Sequence, residues 1–444
     1  MAACGRTFAR VGRTLNRHTP HEAATSADEV LGHVRSGGHV VVPLANGEPV
    51  ALLDALERGA ELGDFDHVTV HQMHALHDRR YLHGEFGDRL RHVSYFLSHV
   101  TRPCFLAGTV DLVPNHFSEV YEHIHHRAND PLVLAAASPP DRHGYFSLGV
   151  SADYTSSFIG RARFFLEVNE HMPRTFGRNQ IHVSQIEGWY RNDRPLVEVH
   201  PPEMVQHDHT IASLVADRIP DGACLQTGIG AIPNAIMSAL QHHRDLGVHT
   251  ELLSDGLVDL VETGAVNGVR KLHNRTKVVG TFALGTQRLY DFLHENTAIE
   301  LWSARYVNDP RLLSREQHFV SINATLSVDF LGQCASETLG GRYYSSSGGQ
   351  VDFARGAMYS EGGQGFIVLH STASQGAVSR IVPRLGSGDV VTNSKNTVDK
   401  VVTEFGVAEL RSRTIRERTR ALIDIAHPDH RDALRHEARQ MGYL

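Results

Sequence analysis

The stretch LQTGIGAIPNAIMSALQHHRDLGVHTELLSDG, residues 225–256, decides the predicted fold. Its apolar pattern predicts a strand, a glycine turn, a helix and a second strand, with Glu251 at the tip of the second strand. Gly228 and Gly230 form the turn, and Pro233 falls in the first turn of the helix, where proline is tolerated. A unit of this kind is typical of largely parallel sheets that are covered by helices.

The same order of elements is predicted for residues 37–70, GGHVVVPLANGEPVALLDALERGAELGDFDHVTV. When the two stretches are aligned, Pro49 meets Pro233, and the dipeptides Ala-Leu and Leu-Gly also coincide. Short matches in the same order indicate an internal duplication. The two halves of the chain are therefore expected to share one architecture.

The paired prolines of HPPE, residues 200–203, mark the predicted joint, because consecutive prolines interrupt a helix or a strand. We predict an α/β fold with two related domains, 25–200 and 201–444, each a largely parallel sheet covered by helices. The length of 444 residues suits two such domains. Residues 1–24 are predicted to form a basic, disordered segment.

Further elements are predicted on both sides of this joint. Strands are expected at 131–138, 277–284, 318–323 and 365–370, and helices at 286–297 and 411–425. The glycine-rich residues 347–365 are predicted to be a loop region with a short apolar segment. Charged surface helices are expected over 411–440, with Pro428 breaking the run.

Composition excludes several classes of protein. A net charge of −7 argues against general affinity for nucleic acid or anionic membranes, and no apolar run has the length of a membrane span. The cysteines lie far apart without a CxxC pair, so free thiols in a reducing compartment are expected. They are Cys4, Cys104, Cys224 and Cys334. The predicted location is cytoplasmic; organelle targeting is the alternative, because the first seventeen residues contain four arginines and no acid.

Histidine is unusually frequent, with 31 residues, and His123, His125 and His126 stand together. A zinc site needs about four ligands, and no cysteine is near these three side chains, which helical spacing would scatter. We therefore predict a solvated histidine-rich surface and no metal site. A non-enzymatic, histidine-rich metal-binding protein is kept as a remote alternative.

The glycine turn of the first stretch allows several kinds of chemistry. Gly228 and Gly230 match two glycines of the dinucleotide-binding pattern, but Pro233 replaces the third, which disfavours an NAD-dependent oxidoreductase. The glycines could also serve only to turn a strand into a helix. Alternatively, their backbone N–H groups could hold a phosphate or a developing oxyanion. Glu251 would then act as a general base or as a nucleophile, and the local sequence does not choose between these roles.

Longer motifs resemble those of one family. They are GIGAIPNAIMSAL, HTELLSDGLVDLVETGAV, SINATLSVDFLGQ, SSSGGQVDFARGA and ALIDIAHPDHR, with SPPDRHGYFSLGVSADYT (138–155) and NEHMPRTFG (169–177) in the first half. Together they are similar to the acetyl-CoA hydrolase/transferase family, above all to its 4-hydroxybutyrate and butyrate:acetate CoA-transferases. The resemblance runs from about residue 25 to the end of the chain.

The resemblance implies two domains of the CoA-transferase type and a ping-pong reaction. CoA would move between a short-chain acyl-CoA (4-hydroxybutyryl-, butyryl-, propionyl- or acetyl-CoA) and a carboxylate such as acetate. Glu251 would be the nucleophile and would carry CoA as a glutamyl thioester. Coenzyme A would enter as part of the substrate, with no permanently bound cofactor. The resemblance is compatible with a homodimer. An acetyl-CoA hydrolase of the same family is the nearest alternative.

The family's other site residues fall on matching positions of this sequence. The CoA-contacting loop corresponds to Gln226, Thr227, Gly228, Ile229 and Gly230, with further contacts at Leu326 and Gly349. Backbone donors for the thioester oxygen would come from Gly228, Gly230, Gly348 and Gly349, and Asn323 would orient the thioester carbonyl. The alternatives are a strand-core role for Leu326, a turn for Asn323 and a flexible loop for the glycine pair.

One motif departs from the family pattern. Relatives often carry STAKGGKVSR, whereas this chain has STASQGAVSR at residues 371–380, so Ser374 and Ala377 stand in place of two lysines. Arg380, Lys395 or Lys400 would have to contact the CoA phosphates instead, or CoA would be held less tightly.

Overall fold

The structure is a computed structural model, and it describes residues 23–228 and 230–444. The predicted basic segment up to residue 22, with Cys4, lies outside the described residues, and so does Ile229. Within the described part of the chain, no helix has both the length and the apolar character that crossing a bilayer requires.

The first half of the chain is built on a seven-stranded sheet in which every neighbouring pair is parallel. The interior strand Leu132–Ala137 is buried along its whole length, as expected for a strand covered on both faces. Apolar clusters pack on the two faces. The spatial order is Gly188–Arg191, Arg163–Val168, Leu132–Ala137, His39–Val42, Val68–Gln72, Leu90–Ser94 and Val110–Leu112.

The second half is built on a six-stranded sheet. Five of its strands are parallel, and Gly406–Glu409 closes one edge as the antiparallel partner of Lys400–Thr403. Large apolar clusters again cover both faces. The spatial order is Gly247–Val248, Cys224–Thr227, Phe319–Ala324, Gln364–Val368, Lys400–Thr403 and Gly406–Glu409.

The two sheets share a plan. In the first half, His39–Val42 pairs on one side with Val68–Gln72, the next long strand along the chain. In the second half, Cys224–Thr227 pairs in the same way with Gly247–Val248. In each half a later strand of the sequence pairs on the opposite side. The predicted fold class, two related and largely parallel sheets covered by helices, is confirmed.

The halves also interlock. The short strand Phe176–Gly177 of the first half pairs with Ile299–Leu301, which pairs in turn with Val278–Gly280. Gly177 has φ +116, and a Cβ there would lie 2.2 Å from the carbonyl oxygen of Leu301, so this crossing requires glycine. The division at residues 200–203 stays a prediction, since the first half supplies a strand to a sheet of the second.

The region 347–365 is not a loop: it contains the α-helix Gln350–Tyr359, and the prediction was wrong there. The glycines concealed a helical pattern in which Phe353, Ala354 and Ala357 are buried on one side. Gly356 lies in the helix because a Cβ at this position would meet Leu313 Cβ at 2.6 Å.

The other predicted elements are found with adjusted bounds. The strands expected at 131–138, 318–323 and 365–370 are present, whereas 277–284 is split into Val278–Gly280 and Phe282–Ala283. Pro428 does not only break the C-terminal run but also begins its last helix, as is common for proline. The α-helices are Val50–Leu62, Thr101–Ala107, Val120–Arg127, Gln206–Ala216, Ala231–Ala239, Asp255–Glu262, Gln287–Leu293, Ala304–Val307, Pro310–Leu313, Gln350–Tyr359, Ile415–Asp424 and Pro428–Gln440.

Short strand pairs and 3₁₀ turns complete the described structure. The remaining strands are Tyr145–Ser147, Gln180–His182, Leu252–Leu253, Ser327–Asp329, Cys334–Ala335, Thr338–Leu339, Arg342–Tyr343, Thr372–Ala373, Val378–Ser379 and Ile381–Val382. The 3₁₀ helices are Ala27–His33, Ala45–Gly47, Arg80–His83, Gly87–Arg89, Phe117–Glu119, Thr155–Phe158 and Val183–Gln185.

Three of the cysteines and the histidine group at 123–126 lie within the described residues. Cys104, Cys224 and Cys334 are free, buried thiols, as predicted. His125 and His126 are exposed on the helix Val120–Arg127. Over residues 23–228 and 230–444, no group of three or more His, Cys, Asp or Glu side chains has an arrangement that could hold a metal ion.

Candidate active site

Glu251 lies just beyond the strand Gly247–Val248, as the sequence predicted, and its backbone is fixed from two sides. Its carbonyl oxygen accepts hydrogen bonds from the backbone N–H groups of Thr281 at 3.0 Å and Phe282 at 3.2 Å. The preceding residue, Thr250, donates its N–H to the carbonyl of Val279 at 2.9 Å. The position from which the Glu251 side chain extends is therefore set by backbone contacts.

The Glu251 carboxyl group is partly buried and has two hydrogen-bond donors. Asn308 Nδ2 donates to Oε2 at 2.8 Å, and the backbone N–H of Gly349 also donates to the carboxyl. Burial raises the pKa of Glu251 to about 7, and the two hydrogen bonds oppose that rise. The group is thus close to half ionised near neutral pH, in the range where a carboxylate can act as a base or a nucleophile.

The pair Gly348–Gly349 brings backbone against this carboxyl. A Cβ at Gly349 would lie 2.1 Å from Glu251 Oε2 and 2.2 Å from Asn308 Nδ2, so only glycine fits. Gly348 has φ +54, in the left-handed region that favours glycine. Gly349 precedes the helix Gln350–Tyr359 as its N-cap, so the N–H group that reaches Glu251 comes from the N-terminus of a helix.

The glycine turn with Gly228 and Gly230 follows the strand Cys224–Thr227, which pairs with Gly247–Val248 next to Glu251. The N–H of Gly228 donates to the carbonyl of Ile322 at 3.1 Å, and Gly230, with φ +118, is the N-cap of the helix Ala231–Ala239. Gln226 and Asn323 form a reciprocal carboxamide pair, with Nε2 to Oδ1 at 3.1 Å and Nδ2 to Oε1 at 3.0 Å. Each amide group keeps one N–H that this pair does not use.

A cavity of about 270 Å³ brings most of the predicted residues together. Of the predicted set, Gly230 and Leu326 do not line it. The predicted residues that do are Gln226, Thr227, Gly228, Glu251, Asn323, Gly348 and Gly349. The first half adds Leu44, Met73, His74 and Phe96, and the second half adds Leu252, Phe282, Leu284, Ala324, Ser336, Ser345, Ser346, Ser347, Gln350 and Phe353.

Neither Asn308 nor the cavity residues from the first half of the chain were predicted from the sequence. Asn308 follows the short helix Ala304–Val307, where an asparagine is ordinarily interpreted as a residue that ends a helix. Leu44, Met73 and Phe96 follow strands that are far from Glu251 in the sequence. The one available signal for this wall is that the carboxyl ends of parallel strands form ligand sites.

The first half also anchors the loop that holds Gly348 and Gly349. Ser347 Oγ donates to the carbonyl of Asn115 at 2.6 Å, and the N–H of Phe117 donates to the carbonyl of Gly348 at 3.1 Å. Ser118 Oγ donates to Asp352 Oδ1 at 2.9 Å. The donor at Gly349 is therefore held in place by contacts between the halves.

The segment that departs from the family pattern, 371–380, forms the hairpin of Thr372–Ala373 and Val378–Ser379. Of the three candidate cations, Lys400 is engaged, because its Nζ contacts Asp399 Oδ2 at 2.8 Å. Arg380 is half-buried, which lowers its pKa, and Lys395 is exposed. Contact of Arg380, Lys395 or Lys400 with the CoA phosphates stays a prediction.

The raised pKa of Glu251 has a consequence for stability. The pKa is about 7 in the folded protein, against the usual 4.5 of a glutamate, so the folded protein retains this proton to higher pH. Stability therefore falls as pH rises between these two values. The variant Glu251→Gln lacks this charge. We expect it to melt higher than wild type at pH 8 by about 2 °C or more, and by less at pH 5.5, in thermal denaturation.

The exposed Glu203 provides the control, since Glu203→Gln should leave the melting temperature unchanged at both pH values. A wild-type protein that melts above Glu251→Gln at pH 8 would contradict this account. It would mean that the hydrogen bonds from Asn308 and Gly349 outweigh the burial of the charge.

Family models match both halves of the chain. The acetyl-CoA hydrolase/transferase N-terminal domain matches residues 10–215, and the C-terminal domain of that name matches residues 285–438. A succinyl-CoA:cyclohexane-1-carboxylate CoA transferase of Geobacter metallireducens is 44% identical, over 94% of this chain and 95% of that protein. A 4-hydroxybutyrate coenzyme A transferase of Clostridium kluyveri is 40% identical, over 94% and 97%. The crystal structure of RipA from Yersinia pestis has a TM-score of 0.90 at 38% identity, covering 95% of this chain and 98% of that one.

Proposed function

The chain belongs to the acetyl-CoA hydrolase/transferase family and is a CoA-transferase, and on this premise we propose that it works through a thioester on Glu251. CoA would pass between a short-chain acyl-CoA and a carboxylate such as acetate. The observation that carries the proposal is the Glu251 carboxyl, held by Asn308 and Gly349 in a cavity that both halves line.

The first half-reaction loads CoA onto the enzyme. The Glu251 carboxylate attacks the acyl carbonyl, the C–S bond breaks with its electron pair on sulfur, and a mixed anhydride and CoA thiolate result. The thiolate then attacks the glutamyl carbonyl of the anhydride. This forms the glutamyl-CoA thioester and releases the acyl group as its carboxylate.

The second half-reaction runs the same steps with the acceptor. The acceptor carboxylate attacks the glutamyl thioester, giving a new mixed anhydride and CoA thiolate. The thiolate attacks the carbonyl of the acceptor acyl group, which leaves as acyl-CoA and restores the Glu251 carboxylate. No thioester is lost to water, so the energy of the C–S bond is conserved.

The surroundings of Glu251 support this chemistry. An oxyanion develops at each tetrahedral carbon, and backbone N–H groups at the start of a helix are suited to stabilise it. Gly349 supplies such a group, and the loop Gln226–Gly230 is proposed as the CoA-contacting side, with Leu326 and Gly349 as further contacts. Asn323, paired with Gln226, is proposed to orient the thioester carbonyl.

The cavity favours a short acyl group. Its volume of about 270 Å³ is below the roughly 300–1,000 Å³ of pockets for drug-sized ligands. Leu44, Met73 and Phe96 provide apolar walls, whereas Ser336 and Ser345 bring hydroxyl groups. Acetyl, propionyl and butyryl groups suit the apolar side, and 4-hydroxybutyryl would add a hydroxyl for the serines.

Hydrolysis is the competing function, because the family name covers both activities. We expect acyl exchange to require an acceptor carboxylate and thioester loss in buffer alone to be far slower, since walls from both halves limit the water around Glu251. The measurement is the formation of propionyl-CoA from acetyl-CoA and propionate by mass, beside CoA release without propionate. If CoA is released at the same rate with and without propionate, the enzyme is a hydrolase and the transferase proposal is wrong.

A further inference from the structure

Residues 151–154, SADY, belong to a first-half motif that the proposed mechanism does not use. All four are buried, with no more than 1% of their surface exposed. Three of them carry polar side chains, which proteins ordinarily bury only when they are hydrogen-bonded. The partners of these side chains therefore show what the segment holds in place.

The side chains of Ser151 and Asp153 hold the backbone of Leu44, which lines the cavity. Asp153 Oδ2 accepts the N–H of Leu44 at 3.0 Å, and Ser151 Oγ donates to the carbonyl of Leu44 at 3.0 Å. Asp153 Oδ1 accepts the N–H of Thr155 at 2.6 Å. Burial raises the pKa of Asp153 to about 7, and these N–H donors oppose that rise. Leu44 is thus fixed on both sides of its Cα.

The hydroxyl of Tyr154 holds the next part of the same wall. It accepts the N–H of Met73 at 3.0 Å and donates to the carbonyl of Val42. Val42 and Gln72 form the last register pair of their two strands, so the hydroxyl bridges the strand ends just beyond that pair. Parallel sheets form their ligand sites at this edge. Met73, which also lines the cavity, is thereby fixed.

The backbone of the same segment contacts the chain that holds Glu251. The N–H groups of Ala152 and Asp153 both donate to the carbonyl of Thr281, at 3.0 and 2.9 Å. The N–H of Thr281 in turn donates to the carbonyl of Glu251 at 3.0 Å. One short segment therefore joins the backbone of Glu251 to the wall that the first half contributes to the cavity.

We infer that Asp153 and Tyr154 are positioning residues that set the distance between Glu251 and the first-half wall, and so select the length of the acyl group. The inference rests on the proposed function, because it takes Leu44 and Met73 as a wall of the acyl site. A closely packed wall discriminates by size only if it cannot yield. One methylene group in such a pocket changes selectivity roughly 10- to 200-fold.

A purely structural tyrosine would stabilise the fold without affecting the choice of acyl group, and Tyr290 provides that comparison. Its hydroxyl donates to the carbonyl of Val197 at 2.8 Å and accepts the N–H of Gly285 at 3.3 Å. Tyr290 is as buried as Tyr154 but does not line the cavity. Removing either hydroxyl leaves buried backbone groups without a partner, which lowers stability.

The test measures the first half-reaction with acetyl-CoA and with butyryl-CoA, without acceptor, as formation of the glutamyl-CoA adduct by mass. Tyr154→Phe removes the hydroxyl and keeps the ring. We expect the ratio of kcat/KM for butyryl-CoA to that for acetyl-CoA to rise about 10-fold or more, because a wall that is no longer held yields to two further methylene groups. The rate at saturating acetyl-CoA should stay within a few-fold of wild type, since the backbone contacts to Thr281 are kept.

Two further variants complete the test. Asp153→Asn replaces one acceptor oxygen by an NH₂ group, so Leu44 or Thr155 loses its acceptor, and the ratio should move in the same direction. Tyr290→Phe is the matched control. It should lower the melting temperature, as Tyr154→Phe does, and leave the ratio at the wild-type value.

The outcomes separate this inference from the function beneath it. If wild-type enzyme exchanges CoA but forms no glutamyl adduct, the proposed route through Glu251 fails. If wild type forms the adduct and folded Tyr154→Phe keeps the wild-type ratio, or slows both substrates by the same factor, the positioning role is wrong while the route stands. An equal shift in Tyr290→Phe would also contradict that role, because the acyl preference would then follow stability alone.

Discussion

Replacing Glu251 by Gln is expected to abolish CoA exchange. The amide of Gln has nearly the same shape and can still accept the hydrogen bond from Asn308, but it carries no negative charge with which to attack a thioester. A hydrogen-bonding role for Glu251, such as contact with a ribose, would predict a loss of a few kcal/mol in binding at most. Exchange is measured as new acyl-CoA by mass, with Glu57→Gln as control.

Glu57 is a matched control because its carboxyl is also buried, with a pKa raised by burial, but lies outside the cavity. The intermediate provides a second measurement. Wild-type enzyme given acyl-CoA without acceptor should gain the mass of CoA on the peptide that contains Glu251, and borohydride should then inactivate it. An adduct on another residue, or an active Glu251→Gln enzyme, would show that the nucleophile lies elsewhere.

Gly349→Ala is expected to lower the exchange rate by roughly 100- to 1,000-fold, the loss that follows removal of one oxyanion donor. The added Cβ would lie 2.1 Å from Glu251 Oε2 and 2.2 Å from Asn308 Nδ2, so both groups have to move. Turnover is the measurement, beside a circular dichroism spectrum that shows whether the fold is kept.

Gly365→Ala serves as the matched control. Gly365 is also buried, but the atoms nearest its Cβ position are 3.6 Å away, so alanine fits without displacement. Its turnover should stay within a few-fold of wild type. Wild-type turnover in folded Gly349→Ala would mean that this loop neither presses on the carboxyl nor supplies a donor to the reaction.

The main strands and the strand tip with Glu251 were predictable because their signals are local. A run such as LVLAAA at 132–137 is apolar throughout, and strands buried on both faces have that composition. The turn at Gly228 and Gly230 followed from glycines between a strand and a helix. These patterns need no knowledge of the rest of the chain.

The rest of the site was hidden because it depends on contacts between distant residues. Asn308 lies 2.8 Å from the Glu251 carboxyl, although the two are separated by 57 positions in the sequence. The helix Gln350–Tyr359 was missed because Gly356 lowers helix propensity, and its compensation is the close approach of Leu313, which only the folded structure shows.

The two sheets share a plan, and each half of the chain contributes different residues to the cavity. The strands Val68–Gln72 and Gly247–Val248 hold matching places in their sheets, and the residues that follow them meet across one space. The second copy presents Glu251 there, and the first presents Met73 and His74. Under the proposed mechanism, such a duplication would separate reactivity from selectivity, because the residues after one strand could vary with the acid that is accepted while the proposed nucleophile stays after the other.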